Sequence, residues 1–179
     1  DVLVIRILKE TQAMATYAGK LAGLYPKDDD WLAAKCDEVI NGCTDVTVTI
    51  GGTMRIQDAD EKARARAALI ASDGRLTMHL KGLEKLLVEN QGRTDAESQK
   101  KGPDGDSLVV SVGDSLTVAD LAVWRLVGWL SSGTIDGIPG DYVTKNFPFL
   151  AALIASVDKH AGVVSWKAKY PEFYSTPAN

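Results

Sequence analysis

Gly113-Asp114-Ser115-Leu116-Thr117-Val118-Ala119-Asp120-Leu121 runs straight into the apolar segment 122–130. This stretch reads as a helix start with two locks. Thr117 stands at the N-cap, where its hydroxyl can satisfy an orphan backbone N–H. Asp120, three residues on, can reach back to the N–H of Thr117, a capping box with Asp in place of Glu. Leu116 and Leu121 are spaced as a hydrophobic staple. The helix that follows is apolar nearly all round, through Val123, Trp124, Leu126, Val127, Trp129 and Leu130. Such a helix belongs in the middle of a core. Thr117 and Asp120 are read as a structural capping motif, and a cap by itself says nothing about function.

The pieces on either side are mostly helical. Residues 1–8 (DVLVIRIL) are β-branched and short, and predict a strand. Thr11 can then cap a helix whose apolar face is Met14, Tyr17, Ala18 and Leu21, spaced i, i+3, i+4, i+7. Gly23 ends it, and Leu24-Tyr25-Pro26 makes a connector. Asp28, Asp29 and Asp30 crowd the start of the next helix, where the macrodipole favours anions. That helix carries Leu32, Cys36, Val39, Ile40, Cys43 and Thr47 on one face. The run 46–50 (VTVTI) has strand propensity, but the reading favoured is a helix continuing to about Gly51 under tertiary support. A helix over 59–71 follows, and Ser72-Asp73-Gly74 either breaks it or weakens it. Leu76, Leu80, Leu83, Leu86 and Leu87 mark a further stripe. Residues 91–106 are polar and Gly/Pro-bearing, hence a loop that includes Lys100-Lys101. After the central helix, Pro148 opens one with Leu150, Leu153, Ile154 and Val157 on a face. Residues 163–170 (VVSWKAKY) form a last short helix.

Composition narrows the function. The 179 residues are 45% apolar and carry a net charge of −4, which fits a globular domain and gives no general attraction for nucleic acid or anionic lipid. No apolar run approaches the roughly 20 residues of a membrane span, and residues 1–8 lack the marks of a signal peptide. Cys36 and Cys43 lie seven apart on one helix, about 10 Å along its axis, too far to bridge. They read as buried thiols in a reducing compartment. With His79 and His160 the only histidines, no metal-ligand cluster emerges.

This order of pieces resembles the cytosolic glutathione transferases, from about residue 8 to residue 172. Glu10-Thr11-Gln12-Ala13-Met14-Ala15-Thr16-Tyr17 resembles the family's Glu/Gln-Ser-x-Ala-Ile-x-x-Tyr helix start. Gly23-Leu24-Tyr25-Pro26 resembles its interdomain connector, and residues 113–121 its Gly-Asp-x-x-Thr-x-Ala-Asp motif. Asn146-Phe147-Pro148-Phe149-Leu150, with Val157 and 163–170, is similar to its penultimate helices. The resemblance implies a mainly α chain. Residues 1–26 would be the end or remnant (β-α) of a thioredoxin-like domain, and residues 27–179 the all-helical C-terminal domain. It departs from the family at the start. Asp1 stands near where the family's cis-proline would fall, the hairpin is about two residues short, and the part holding the catalytic Tyr, Ser or Cys has no counterpart. Either the sequence is a fragment or that region has been lost, and the catalytic residue is unknown.

The resemblance also supplies site residues. The family's counterpart of Thr11 binds the γ-glutamyl carboxylate of glutathione with its hydroxyl and backbone N–H, beside the counterpart of Glu10. Thr11 can equally be a plain helix cap. Residues 37–45 resemble the family's Asp-x-x-x-Asp-x-x-x-Asp helix with Asn41 in the middle place. The last Asp of that helix reaches across a homodimer to the glutamyl ammonium, so Asp45 is either that group or a solvated acid. Trp124 and Trp129 are read as core, Tyr17 as core edge, and His79 as a satisfied structural histidine. Arg125, inside an apolar helix, needs a carboxylate or solvent on one side.

Two functions are in view. One is a cytoplasmic, homodimeric glutathione transferase with a detoxifying role, which joins glutathione, as co-substrate and without metal, to a small apolar electrophile. The other is a non-catalytic docking or scaffold subunit of the same architecture within a larger complex.

Overall fold

The structure, a computed structural model, describes residues 7–91 and 109–173. They form eight α-helices: α1 Thr11–Ala22, α2 Asp30–Met54, α3 Ala59–Leu69, α4 Arg75–Gln91, α5 Val118–Leu130, α6 Tyr142–Asn146, α7 Pro148–Lys159 and α8 Ala161–Lys169, then a 3₁₀ turn at Pro171–Phe173. There is no strand among the described residues. The predicted strand over residues 1–8 lies mostly outside them, and Ile7 and Leu8, which lie within, are irregular. The polar loop with Lys100-Lys101 also lies outside.

α2 is the spine. It packs against α1, α3, α4 and α5, while α7 closes the far side against α4 and α5. Cys36, Val39, Val46 and Ile50 of α2 are fully buried, as are Leu76, Leu80 and Leu87 of α4 and Leu150, Leu153 and Val157 of α7. The strand-prone run 46–50 is helical, and α2 continues past Gly51 to Met54. Burial of Val46 and Ile50 overrides local propensity. Thr44 and Thr47 fit the helix by donating their hydroxyls to the carbonyls of Ile40 (3.3 Å) and Cys43 (3.0 Å).

The break between α3 and α4 is steric. A Cβ at Gly74 would stand 2.3 Å from the Leu69 carbonyl oxygen and 2.4 Å from that of Ala68. Only glycine lets the chain turn back that tightly.

The apolar stripe of α1 faces outward, contrary to the sequence expectation. Met14, Tyr17 (57% exposed) and Leu21 (72% exposed) are open to solvent, and only Gly19 of α1 is buried. The reason is close approach. A Cβ on Gly19 would meet Val118 Cγ1 at 2.7 Å, so α1 docks through its smallest residues, leaving no room for the large ones. Leu24 then accepts a hydrogen bond from the Val118 N–H (2.7 Å), joining the connector to the start of α5. Tyr25 donates to Asp37 Oδ2 (3.0 Å) and Thr16 to Asp37 Oδ1 (3.1 Å), fastening α1 and the connector to α2. Burial, followed by the bond to Asp37, pushes the Tyr25 hydroxyl up to about 12.

Candidate functional site

The start of α5 works as its sequence implies, and goes further. Asp120 is buried and accepts four hydrogen bonds. They come from the Thr117 N–H (2.6 Å) and hydroxyl (2.9 Å), and from the Ser111 N–H (2.6 Å) and hydroxyl (2.7 Å). Ser111 is the part that sequence reading missed, since no short spacing rule joins a residue six before the cap to the box. Burial pushes the Asp120 carboxyl above its ordinary range, and the bonds from Ser111 and Thr117 oppose that rise. With all its lone pairs directed at backbone and hydroxyl donors, Asp120 is a folding node and has no free face for a substrate.

The N-terminus of α1 differs from those of α2 and α3. The position before α1 is Glu10, at φ 70° and ψ 120°, the only non-glycine residue with positive φ among those described. Thr11 is the first helical residue. It does not cap, and no side chain caps α1 at all. Helices α2 and α3, by contrast, are capped by Asp29 (to the Leu32 N–H, 3.0 Å) and Asp58 (to the Glu61 N–H, 2.7 Å). The Met14 N–H is taken by the Glu10 carbonyl at 3.0 Å. The amides of Thr11, Gln12 and Ala13 have no acceptor among the described residues. Three free N–H groups on a helix start make an anion-accepting end.

Thr11 also borders a cavity of about 440 Å³ formed between α1, α2 and α5. Ile40, Cys43, Leu121, Leu126 and Trp129 give it an apolar wall, and Arg125 supplies its one charge. Here α5 is not wrapped by core. The side carrying Leu121, Ala122, Arg125 and Trp129 opens onto this space, so Trp129 is half-buried and Arg125 is exposed. Solvent, in place of a carboxylate, meets the need of Arg125. Trp124, on another face, donates to Asp158 (2.8 Å), which also pairs with Lys167 (2.6 Å). It is structural, as its sequence position suggests.

Asp45 lies exposed on α2 between Thr44 and Thr47, outside the cavity wall those two help form. His79 is not the satisfied histidine expected: its Nε2 is buried without a hydrogen-bond partner among the described residues. Cys36 and Cys43 are both free, buried thiols. Burial raises Cys36 to about 11 and Cys43 to about 12, so neither is a thiolate at neutral pH. No group of His, Cys, Asp and Glu among the described residues can hold a metal ion. No described helix is long and apolar enough to cross a membrane.

The family model described as the glutathione S-transferase C-terminal domain matches residues 45–170. That span covers α5 with its capping box and the helices α3, α4 and α6 to α8. No curated protein matches the chain.

Proposed function

Because the chain belongs to the glutathione S-transferase family through this C-terminal domain, we propose that it serves glutathione conjugation, with the α1 N-terminus holding the γ-glutamyl carboxylate of the tripeptide. The observation that carries the reading is the backbone at Glu10. A positive φ costs a non-glycine residue about 1–3 kcal/mol and persists where surrounding structure demands it. At Glu10 it leaves three uncapped amides and the Thr11 hydroxyl together at one helix end. Those donors fit a carboxylate, an acceptor-only group. The Glu10 side chain makes no hydrogen bond or ion pair among the described residues, so it is available to the glutamyl ammonium. In a homodimer, the partner's Asp45 would add a second carboxylate to that ammonium.

The chemistry is a substitution or addition by sulfur. The glutathione thiol, with an ordinary pKa near 8.5, loses its proton. The thiolate forms a C–S bond to the electrophile, and a leaving group, where there is one, departs with its bonding pair. Glu10, Thr11 and Asp45 of the partner subunit hold the tripeptide in place and contribute by proximity. The donor that stabilises the thiolate is not assigned to any residue of this chain.

The test is retention on immobilised glutathione with elution by free glutathione, for wild type and Thr11→Ala. The expected result is retention of the wild type and about tenfold weaker binding of the variant, the scale of one charge-assisted hydrogen bond. A wild type that flows through, or a variant that binds equally, overturns the reading.

One observation favours the second function, a docking subunit. Ile7 and Leu8 just before α1, and Met14, Tyr17 and Leu21 on it, leave large apolar side chains exposed, and such a surface calls for a covering partner. The coding sequence upstream of residue 1 separates the two. About 50–60 residues of βαβ character there would supply both the cover and the missing chemistry, and an unrelated domain would favour docking.

A further inference from the structure

We propose that Met54 is a modification site, oxidised by a peroxide to its sulfoxide and held in that form by the buried guanidinium of Arg66. The site is independent of the glutathione end proposed above. It joins the last residue of α2 to the one buried residue of α3.

The chain has three methionines, Met14, Met54 and Met78. Each lies on a helix and is between 44% and 58% exposed, so exposure does not choose among them. Their sulfurs differ. Met54 Sδ accepts a hydrogen bond from Arg66 Nη2 at 3.4 Å, whereas the sulfurs of Met14 and Met78 meet no donor among the described residues. The other nitrogens of Arg66 have oxygen partners. Nε donates to Thr53 Oγ1 (3.0 Å), and Nη1 donates to the Asp136 backbone carbonyl (2.7 Å) and to its carboxylate. Nη2 has the thioether as its one acceptor among the described residues. A thioether is a weak acceptor, so the buried cation is least well served at this point.

Oxidation supplies what is missing there. A lone pair of Sδ attacks one oxygen of hydrogen peroxide. The S–O bond forms and the O–O bond breaks. The departing hydroxide takes the proton from the transferred oxygen and leaves as water. Sulfur gives up two electrons, and the peroxide is reduced. Rotation about the Cγ–Sδ bond turns the new oxygen towards Nη2, where it accepts a charge-assisted bond about twice as strong as a neutral one. Elsewhere a sulfoxide sets polarity against an apolar neighbourhood and weakens the packing. At Met54 it completes the ring of oxygens around Arg66 and pins the end of α2 to α3. Met14 and Met78 have no donor to offer such an oxygen. Cys36 and Cys43 do not compete for the peroxide, because burial raises them to about 11 and about 12 and keeps them from the reactive thiolate form.

The experiment treats the folded full chain, carrying Met14→Leu and Met78→Leu, with hydrogen peroxide, so that Met54 is the one methionine present. Catalase ends the reaction, and peptide mass mapping and thermal melts follow. One added oxygen should appear on Met54, and Tm should rise by about 2–4 °C. The same chain with Met54→Leu added, which has no methionine, should show no shift under the same treatment. Adding Arg66→Lys instead, which removes Nη2, should abolish the rise. Should that variant fail to fold, untreated Met54→Gln and Met54→Leu replace it. The Gln variant, whose amide oxygen stands in for the sulfoxide oxygen, should melt above the Leu variant. The proposal is overturned if no oxygen reaches Met54 in the folded chain, or if oxidation leaves Tm unchanged or lowers it. It is equally overturned by the same shift in the methionine-free chain, by a rise that persists with Arg66→Lys, or by Met54→Gln melting no higher than Met54→Leu.

Discussion

Single residues hold this fold together where charges are buried or strained. Arg66 is the clearest case, an arginine only 2% exposed inside a small helical protein. It donates to Thr53 Oγ1 (3.0 Å), to the Asp136 backbone carbonyl (2.7 Å) and to the Asp136 carboxylate, with Met54 Sδ at 3.4 Å. A buried cation needs such a complete set, because leaving it unpaired costs several kcal/mol. The partnership is lopsided, since the Asp136 side chain is 80% exposed. The hydrogen bond from Arg66 holds the Asp136 carboxyl below its ordinary value of 3.8. The folded state therefore prefers the charged form. The stabilisation is fully present above about pH 4 and is lost as pH falls through the depressed folded value. Thermal melts of Asp136→Asn should accordingly show a shallower decline than wild type below pH 4, and a slightly lower Tm at pH 7. Parallel declines would mean that the pair contributes nothing to acid stability. Sequence reading found neither partner, because 70 residues separate them and a surface loop aspartate looks like any other.

At the scale of elements, the ends of helices decide where they sit. α7 begins at Pro148 with Phe147 before it, a residue that cannot cap. Glu84 of α4 takes over, accepting from the Phe149 N–H (2.9 Å) and the Leu150 N–H (2.8 Å) with its two oxygens. A carboxylate at a helix N-terminus also meets the macrodipole favourably. Glu84→Ala should lower stability to urea by about 1–2 kcal/mol, the scale of a lost cap, and Glu84→Gln should recover part of it. A change below a few tenths of a kcal/mol would show that solvent replaces the carboxylate. Most caps within one helix were legible: Thr117 with Asp120, the acidic start of α2 and Pro148 read correctly from short spacings, while Thr11 does not cap α1. Caps lent by another helix, such as Glu84, follow from tertiary packing and leave no local pattern. The face of α1 misled for a related reason. Its i, i+3, i+4, i+7 stripe is real, but Gly19 against Val118 sets the contact and turns that stripe outward.

For the whole molecule, the order of the long helices was legible because most carry a 3.6-residue stripe and because α5 announces itself by its cap and its apolar run, whereas α3 buries only Arg66 and the five-residue α6 was not foreseen. The candidate site was legible only in pieces. Glu10 and Thr11 could be named from their motif, while the positive φ at Glu10 belongs to the folded backbone alone. Arg125 could be noticed but not placed, since whether it faces core or cavity depends on how α1 and α2 flank α5. Asp45 would gain its role only between two chains, a level that neither the sequence nor one fold contains.

The 25 residues of α2 form a rod of about 37 Å that touches four other helices. Backbone amides in its middle, such as those of Val39 and Val46, sit on side chains with no solvent exposure, and no partial opening that spares the rest of the bundle can reach them. Their hydrogen exchange should be the slowest in the protein, with an opening free energy equal to that from denaturant melts. Appreciably faster exchange there would show that the bundle can part along α2 without unfolding. Otherwise these two amides are an internal gauge: followed by isotope exchange, they report the stability of the entire chain from one turn at its centre.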